Sequence, residues 1–250
     1  MEINKIYNEN CLDTMARMPD CFVDLTVTSP PYDNLRNYNG YSFDFEAVAK
    51  ELFRVTKQGG VVVWVVGDAT IKGSETGTSF KQALYFKEIG FNLHDTMIYY
   101  KKNPVPYKQK RYNPSFEYMF VFSKGKIKTF NGIRIPRKTE FKVDTRNRFR
   151  YADGTLKPAT TYHETNDKLA NNVWEVSCSC PSTGHPAPFP EKLAEDHILS
   201  WSNEGDLVYD PFMGSGTTAK MAKINKRNYI GSEISKEYCD IIEKRINENL

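Results

Sequence analysis

The chain has 250 residues and a mass of 28.8 kDa, with 40% apolar and 13% aromatic residues, enough for one well-packed domain with an inserted lobe and unlike a disordered or fibrous protein. The most apolar run, Gly59 to Gly67, is too short to cross a bilayer, MEINKIYNEN carries no basic stretch leading into an apolar core, and five cysteines are an odd number, so a reduced cytoplasmic protein is expected, without membrane span, secretory signal or disulfide framework. The net charge of +3 conceals a polarised chain: residues 101–150 hold 15 Lys/Arg against 3 Asp/Glu, and the remainder is net acidic.

In chain order, the apolar run Phe22 to Val27 reads as a strand that stops at Thr28-Ser29-Pro30-Pro31-Tyr32, because two prolines cannot continue a strand. Phe45, Val48, Ala49 and Leu52 recur at helical spacing, Gly59-Gly60 reads as a turn, and Val61 to Val66 as a buried strand. A second helix is expected from Ser79 to Ile89 through Phe80, Ala83, Leu84 and Phe86, followed by strands at Thr96 to Tyr100 and Tyr118 to Phe122. Periodicity fades over 131–172, the best candidate for an inserted region. Order returns with a helix from Glu191 to about Ser202, a strand at Asp206 to Tyr209, a glycine-rich turn at Asp210 to Gly216, a helix from Thr217, a strand at Asn228 to Ser232, and a last helix through Tyr238, Ile241, Ile242 and Ile246. This alternation predicts an α/β sheet.

Chemistry concentrates in two segments. In Asp210-Pro211-Phe212-Met213-Gly214-Ser215-Gly216-Thr217-Thr218, between strand and helix, Gly214 and Gly216 admit a close ligand, and the helix start favours an anionic group. Glu233 ends the following strand, where an acid typically grips the two hydroxyls of a ribose. Together they read as a nucleoside cofactor site. The turn lacks the lysine of a phosphate-binding P-loop, and alone it reads equally as a structural connection. In the second segment, the Ser29 hydroxyl and the Pro30 carbonyl form a rigid pair of acceptors, and Tyr32 offers a stacking surface. Such a pair can hold the two hydrogens of an amino group on a planar ring, leaving the nitrogen lone pair to face an electrophile. Alone, this segment also reads as a strand-ending turn. The basic, aromatic-interleaved stretch 101–150 suits a polyphosphate partner or, more plainly, a solvated face.

TSPPY at 28–32, HPAPFPEKL at 185–193, DPFMGSGTT at 210–218 and YIGSE at 229–233 together resemble the amino-methylating DNA methyltransferases that use S-adenosyl-L-methionine. The order of the segments resembles the β group of that family. The resemblance runs from Asn10 to about Asp240 and is weakest over 131–172, where that group carries its target-recognition region. It implies one Rossmann-like methyltransferase domain over 1–250, with helices on both faces of the sheet.

The resemblance also assigns residues. Asp210, Phe212, Gly214 and Gly216 would line the methionine and ribose of the cofactor, Thr217 and Thr218 its carboxylate, and Glu233 the ribose hydroxyls. Asn10 and Cys11 would face adenine, Asn10 standing where the family usually has Asp. Phe189, Pro190 and Glu191 would flank the methionine in a segment opened by His185. Ser29, Pro30, Pro31 and Tyr32 would form the catalytic turn, and Arg111, Tyr112, Asn113 and Glu117 the opposite wall of the base pocket. Ring methylation at carbon 5 of cytosine would need a cysteine after a proline, and no Pro-Cys dipeptide occurs. Serine before PPY is more typical of N4-cytosine modification in this family, Asp or Asn of N6-adenine; RNA or protein-amide methylation and an inactive DNA-binding module are the readings from other classes. Double-stranded DNA is the implied partner, with a homodimer and a cognate restriction endonuclease among the partners to test for. The implied setting is the cytoplasm, at the nucleoid, of a bacterial or phage-encoded protein. Without any CxxC pair, Cys178, Cys180 and His185 give no metal expectation.

Overall fold

The computed structural model describes residues 1–31, 43–104, 110–137, 151–155, 166–177 and 189–247. Tyr32, Cys178, Cys180 and His185 lie outside the described residues. In chain order the elements are β1 (Lys5–Tyr7), α1 (Cys11–Ala16), β2 (Val23–Thr28), α2 (Phe45–Val55), β3 (Thr56–Val66), β4 (Thr70–Ile71), β5 (Ser74–Glu75), α3 (Thr78–Glu88), β6 (Asn92–Lys101), β7 (Phe116–Ser123), β8 (Arg134–Pro136), β9 (Asp167–Leu169), β10 (Val173–Val176), α4 (Glu191–Trp201), β11 (Leu207–Asp210), α5 (Thr217–Ile224), β12 (Asn228–Ser232) and α6 (Lys236–Asn247). They fall into two compact units, residues 1–131 with 172–250, and residues 132–171. In the smaller unit β8 pairs antiparallel with β9, and Arg134 meets Asp167 at 2.9 Å.

The larger unit is built on an eight-stranded sheet in the order β1-β12-β11-β2-β3-β7-β6-β10, in which β7 alone runs against the others. Both faces are covered, which is why the central strands read as unbroken apolar runs. Leu25, Val27, Val61, Val63 and Val65 pack against Leu193 and Ile198 of α4, Ala219 and Ala222 of α5 and Ile242 of α6. Val62, Trp64 and Val66 pack on the other face against Met15 of α1, Val48 and Leu52 of α2 and Phe86 of α3.

Two local readings change in the structure. Gly59-Gly60 makes no turn but an irregularity within β3, whose register with β2 shifts between Val23 and Leu25. Gly59 has φ +78°, and a Cβ on Gly60 would stand 2.9 Å from the Asp24 carbonyl, so neighbouring backbone occupies the space. Phe80 and Leu84, placed on the buried face of their helix by periodicity, are 50% and 65% exposed. Gln82 is buried instead, its Oε1 accepting the buried Trp64 indole N–H at 2.8 Å. The Trp64 indole thereby finds its acceptor on the face of α3 that also buries Ala83 and Phe86.

Candidate functional site

The order of the parallel strands reverses between β2 and β11: β2 leads outward to β3, whereas β11 leads the other way to β12. In open α/β sheets ligands bind in the crevice outside the carboxyl ends of the strands at such a switch point. Here those ends carry Asn10 and Cys11 after β1, Ser29-Pro30-Pro31 after β2, Asp210 to Gly216 after β11, and Glu233 after β12.

Glu233 organises one side of the crevice. Its Oε2 accepts the Gly214 N–H at 2.8 Å and its Oε1 the Ser235 N–H at 2.8 Å, so the glycine-rich loop is docked on the acid. Burial raises its pKa against the opposing pull of those backbone donors. Each oxygen retains further acceptor capacity, which suits a vicinal pair of hydroxyls. The Glu233 N–H donates to the Tyr7 carbonyl, and the Asn8 amide donates to the Glu233 carbonyl at 2.8 Å, tying the end of β1 to the same point.

Asn10 is the N-cap of α1, its side-chain oxygen accepting the Leu12 N–H at 2.9 Å. Asn and Asp cap helices equally well, so local structure tolerates the departure from Asp. Cys11 is buried, and desolvation pushes its thiol up to about 12, which leaves it unsuited to act as a thiolate. Phe212 is half-buried, its ring centroid 4.8 Å from that of Phe43 and 6.2 Å from that of Trp64.

Gly214 and Gly216 both have left-handed φ, +54° and +82°. At Gly216 the space is claimed from behind, since a Cβ there would stand 2.7 Å from Ile242 Cγ2 of α6. Close packing of the last helix thus requires this glycine, whatever the loop binds. Thr217 and Thr218 begin α5 and are buried, and Phe189-Pro190 lead into α4. Glu191, in the first turn of α4, meets Lys220 of α5 at 2.7 Å and Arg245 of α6 at 2.8 Å, and its pKa falls: burial acts upward, but the hydrogen bonds and charges of those two cations outweigh it. Arg245 also donates to the Ser215 carbonyl and hydroxyl, gripping the loop from outside. Sequence reasoning missed Arg245. Its place in the last turn of a helix reads only as a cation complementing the dipole.

Asp210 is 5% exposed, and burial pushes its carboxyl up to about 6. Its Oδ1 accepts Thr28 Oγ1–H at 2.6 Å and the Phe212 N–H at 3.0 Å, and its Oδ2 accepts Thr218 Oγ1–H at 2.8 Å. Beyond Thr28, Ser29 and Pro31 are half-buried and Pro30 is buried.

The four residues expected to wall the base have separate surroundings. Arg111 is held by Glu75 at 3.1 Å and by the Gly73 carbonyl in the β4–β5 hairpin, Tyr112 is fully exposed, Asn113 is exposed, and Glu117 pairs with Lys101 at 2.6 Å.

A mostly parallel α/β sheet with a glycine-rich loop docked on an acid at its switch point defines a nucleoside-cofactor enzyme of the Rossmann-like methyltransferase type. The chain belongs to the family described as DNA methylase, whose model matches residues 23–244. It is 59% identical over 242 residues, covering 91% of this chain and 89% of the relative, to the orphan methyltransferase M.BamHII of Bacillus amyloliquefaciens. It is 30% identical to the type II methyltransferase M.HpaI of Haemophilus parainfluenzae, over 95% of this chain and 72% of that one. Among solved structures, the PvuII DNA methyltransferase (cytosine-N4-specific) matches with a TM-score of 0.74 at 22% identity, over 98% of this chain and 86% of that one. A complex of M1.HpyAVI with SAM matches with a TM-score of 0.66 at 25% identity, over 97% and 98%.

Proposed function

We propose that this DNA amino-methyltransferase transfers a methyl group from S-adenosyl-L-methionine to N4 of a cytosine flipped out of double-stranded DNA. The observation that carries the reading is that Ser29-Pro30 and the Gly214–Glu233 pair stand at adjacent strand ends of one crevice. The cofactor supplies an electrophilic methyl group. Glu233 would accept from the ribose hydroxyls, the loop from Asp210 to Gly216 would line the methionine and ribose with Thr217 and Thr218 near the carboxylate, and the Asn10-Cys11 turn would lie on the adenine side. An exocyclic amine is a poor nucleophile because its lone pair is delocalised into the ring. The Ser29 hydroxyl and Pro30 carbonyl accept its two hydrogens, favour a pyramidal nitrogen and aim the lone pair. No covalent enzyme intermediate is needed, in keeping with Cys11 held as a buried thiol.

A base inside a duplex is out of reach and must be extruded. Tyr32 is the expected stacking platform, residues 131–172 the expected target-reading region, and Arg111, Tyr112, Asn113 and Glu117 the expected opposite wall of the base pocket. A serine before Pro-Pro-Tyr, more typical of N4-cytosine modification in the family this chain resembles, favours cytosine; N6-adenine is the alternative. High identity to a relative named an orphan methyltransferase supports a solitary enzyme over one paired with a restriction endonuclease.

The test is to incubate the protein with methyl-labelled S-adenosylmethionine and duplex DNA of varied sequence, digest to nucleosides and identify the labelled species by mass spectrometry. N4-methylcytosine is expected. N6-methyladenine would keep the mechanism and replace the base, and label on RNA alone would overturn the duplex-DNA reading. Ser29→Ala should lower turnover about 100-fold with cofactor affinity retained.

A further inference from the structure

Asp210 was expected to line the cofactor, yet three of the roughly four lone-pair positions of its carboxylate are taken by protein donors. Two of those donors come from opposite sides of the switch point. Backbone pairing between β2 and β11 is recorded at Val208 with Leu25 and Tyr209 with Thr26. Past those pairs, Asp210 Oδ1 holds the Thr28 hydroxyl at 2.6 Å, and Thr218, whose hydroxyl reaches Asp210 Oδ2 at 2.8 Å, also lies 3.3 Å from the Val27 carbonyl. Thr28 is fully buried and is followed directly by Ser29. A carboxylate is a costly group to bury, and an amide would be cheaper. What a carboxylate offers over an amide is acceptor capacity on both atoms, and three donors converge here.

We infer that Asp210 is a positioning residue: through Thr28 it latches the Ser29-Pro30-Pro31 turn to the glycine-rich loop and so sets the distance between the base amine and the methyl donor. The inference rests on reading that turn as the amine acceptors. Thr28→Val removes the hydroxyl at nearly constant volume and leaves Asp210 bonded to Phe212 and Thr218, so the loop that receives the cofactor keeps its supports.

Three measurements on the full chain test the latch: kcat for methyl transfer to DNA, the dissociation constant for S-adenosylmethionine, and hydrogen exchange of the cofactor-free protein over residues 23–29. Thr28→Val should lower kcat about 10- to 100-fold, since a misplacement near 1 Å costs about 100-fold. Its dissociation constant should stay within about 3-fold of the original, and Thr28→Ser should restore kcat. Exchange at residues 25–29 should quicken in Thr28→Val and return in Thr28→Ser. An unchanged kcat in a folded Thr28→Val protein overturns the inference, as does cofactor affinity falling by the same factor as kcat. Should the unsubstituted chain methylate no nucleic acid, the functional reading fails on its own, and unchanged exchange at residues 25–29 would then refute the latch independently.

Discussion

Replacing Glu233 with Gln keeps the shape of the side chain and removes one acceptor oxygen and the charge. In the structure each carboxylate oxygen takes one backbone N–H, from Gly214 and from Ser235, both at 2.8 Å. A glutamine can serve one of these amides and must turn its NH2 toward the other. Hydrogen bonds to a charged partner contribute about 1.5–3 kcal/mol each, so the loss is set against relief from burying a charge that desolvation already disfavours. The expected net loss of stability in the cofactor-free protein is small, about 1 kcal/mol. For the cofactor no such relief exists, because a ribose hydroxyl exchanges a charged acceptor for a neutral one. At about 1.4 kcal/mol per tenfold change, the dissociation constant should rise roughly 10- to 100-fold. Calorimetric titration with S-adenosylmethionine, alongside urea unfolding of the same preparation, separates the two effects. A folded Glu233→Gln protein that binds the cofactor within 2-fold of the original would refute the assignment of the ribose to this acid.

Burial holds Asp210 up to about 6, so the folded chain binds its proton more tightly than the unfolded chain, where the carboxyl titrates near 3.8. The folded state therefore carries the extra proton between about pH 4 and pH 6, and stability falls as pH rises through that window, by up to roughly 3 kcal/mol from this group. Asp210→Asn should flatten that slope in urea unfolding measured at several pH values; an identical slope would show that the carboxyl is not desolvated as the structure has it. Gly216→Ala should lose about 2–4 kcal/mol, from left-handed strain at φ +82° and the clash with Ile242, read as a drop in melting temperature, and in an Ile242→Ala background, which lacks both Cγ atoms, the same change should cost less, recovering part of the loss. No recovery would mean that the strain lies in the loop alone.

The regular elements were legible because their residues declare a period: β12 spans the residues expected of it, and α2 buries Val48, Ala49 and Leu52 as spaced. β1 was not, since Lys5-Ile6-Tyr7 is short and half polar and becomes a strand only by lying beside β12, more than 200 residues away. The meeting of Gly214 with Glu233 could be anticipated because one helix and one strand separate them and strand-loop-helix units fold locally. The convergence of Thr28, Phe212 and Thr218 on Asp210 could not, as nothing in the local pattern of either segment refers to the other. Likewise Arg111 and Glu117 are near in sequence, but their partners, Glu75 of β5 and Lys101 of β6, belong to different elements that their own segment does not announce.

The place of β2 in the sheet bears on how the protein is made. β2 gains β3 as a neighbour within about 30 residues of synthesis, but its other edge waits for Leu207–Asp210. At 5–20 residues per second that wait lasts roughly 10–40 s, during which the strand Val-Asp-Leu-Thr-Val-Thr presents an unpaired edge on the ribosome. Because the switch point does not exist until β11 docks, an unfinished chain has no crevice in which to modify DNA.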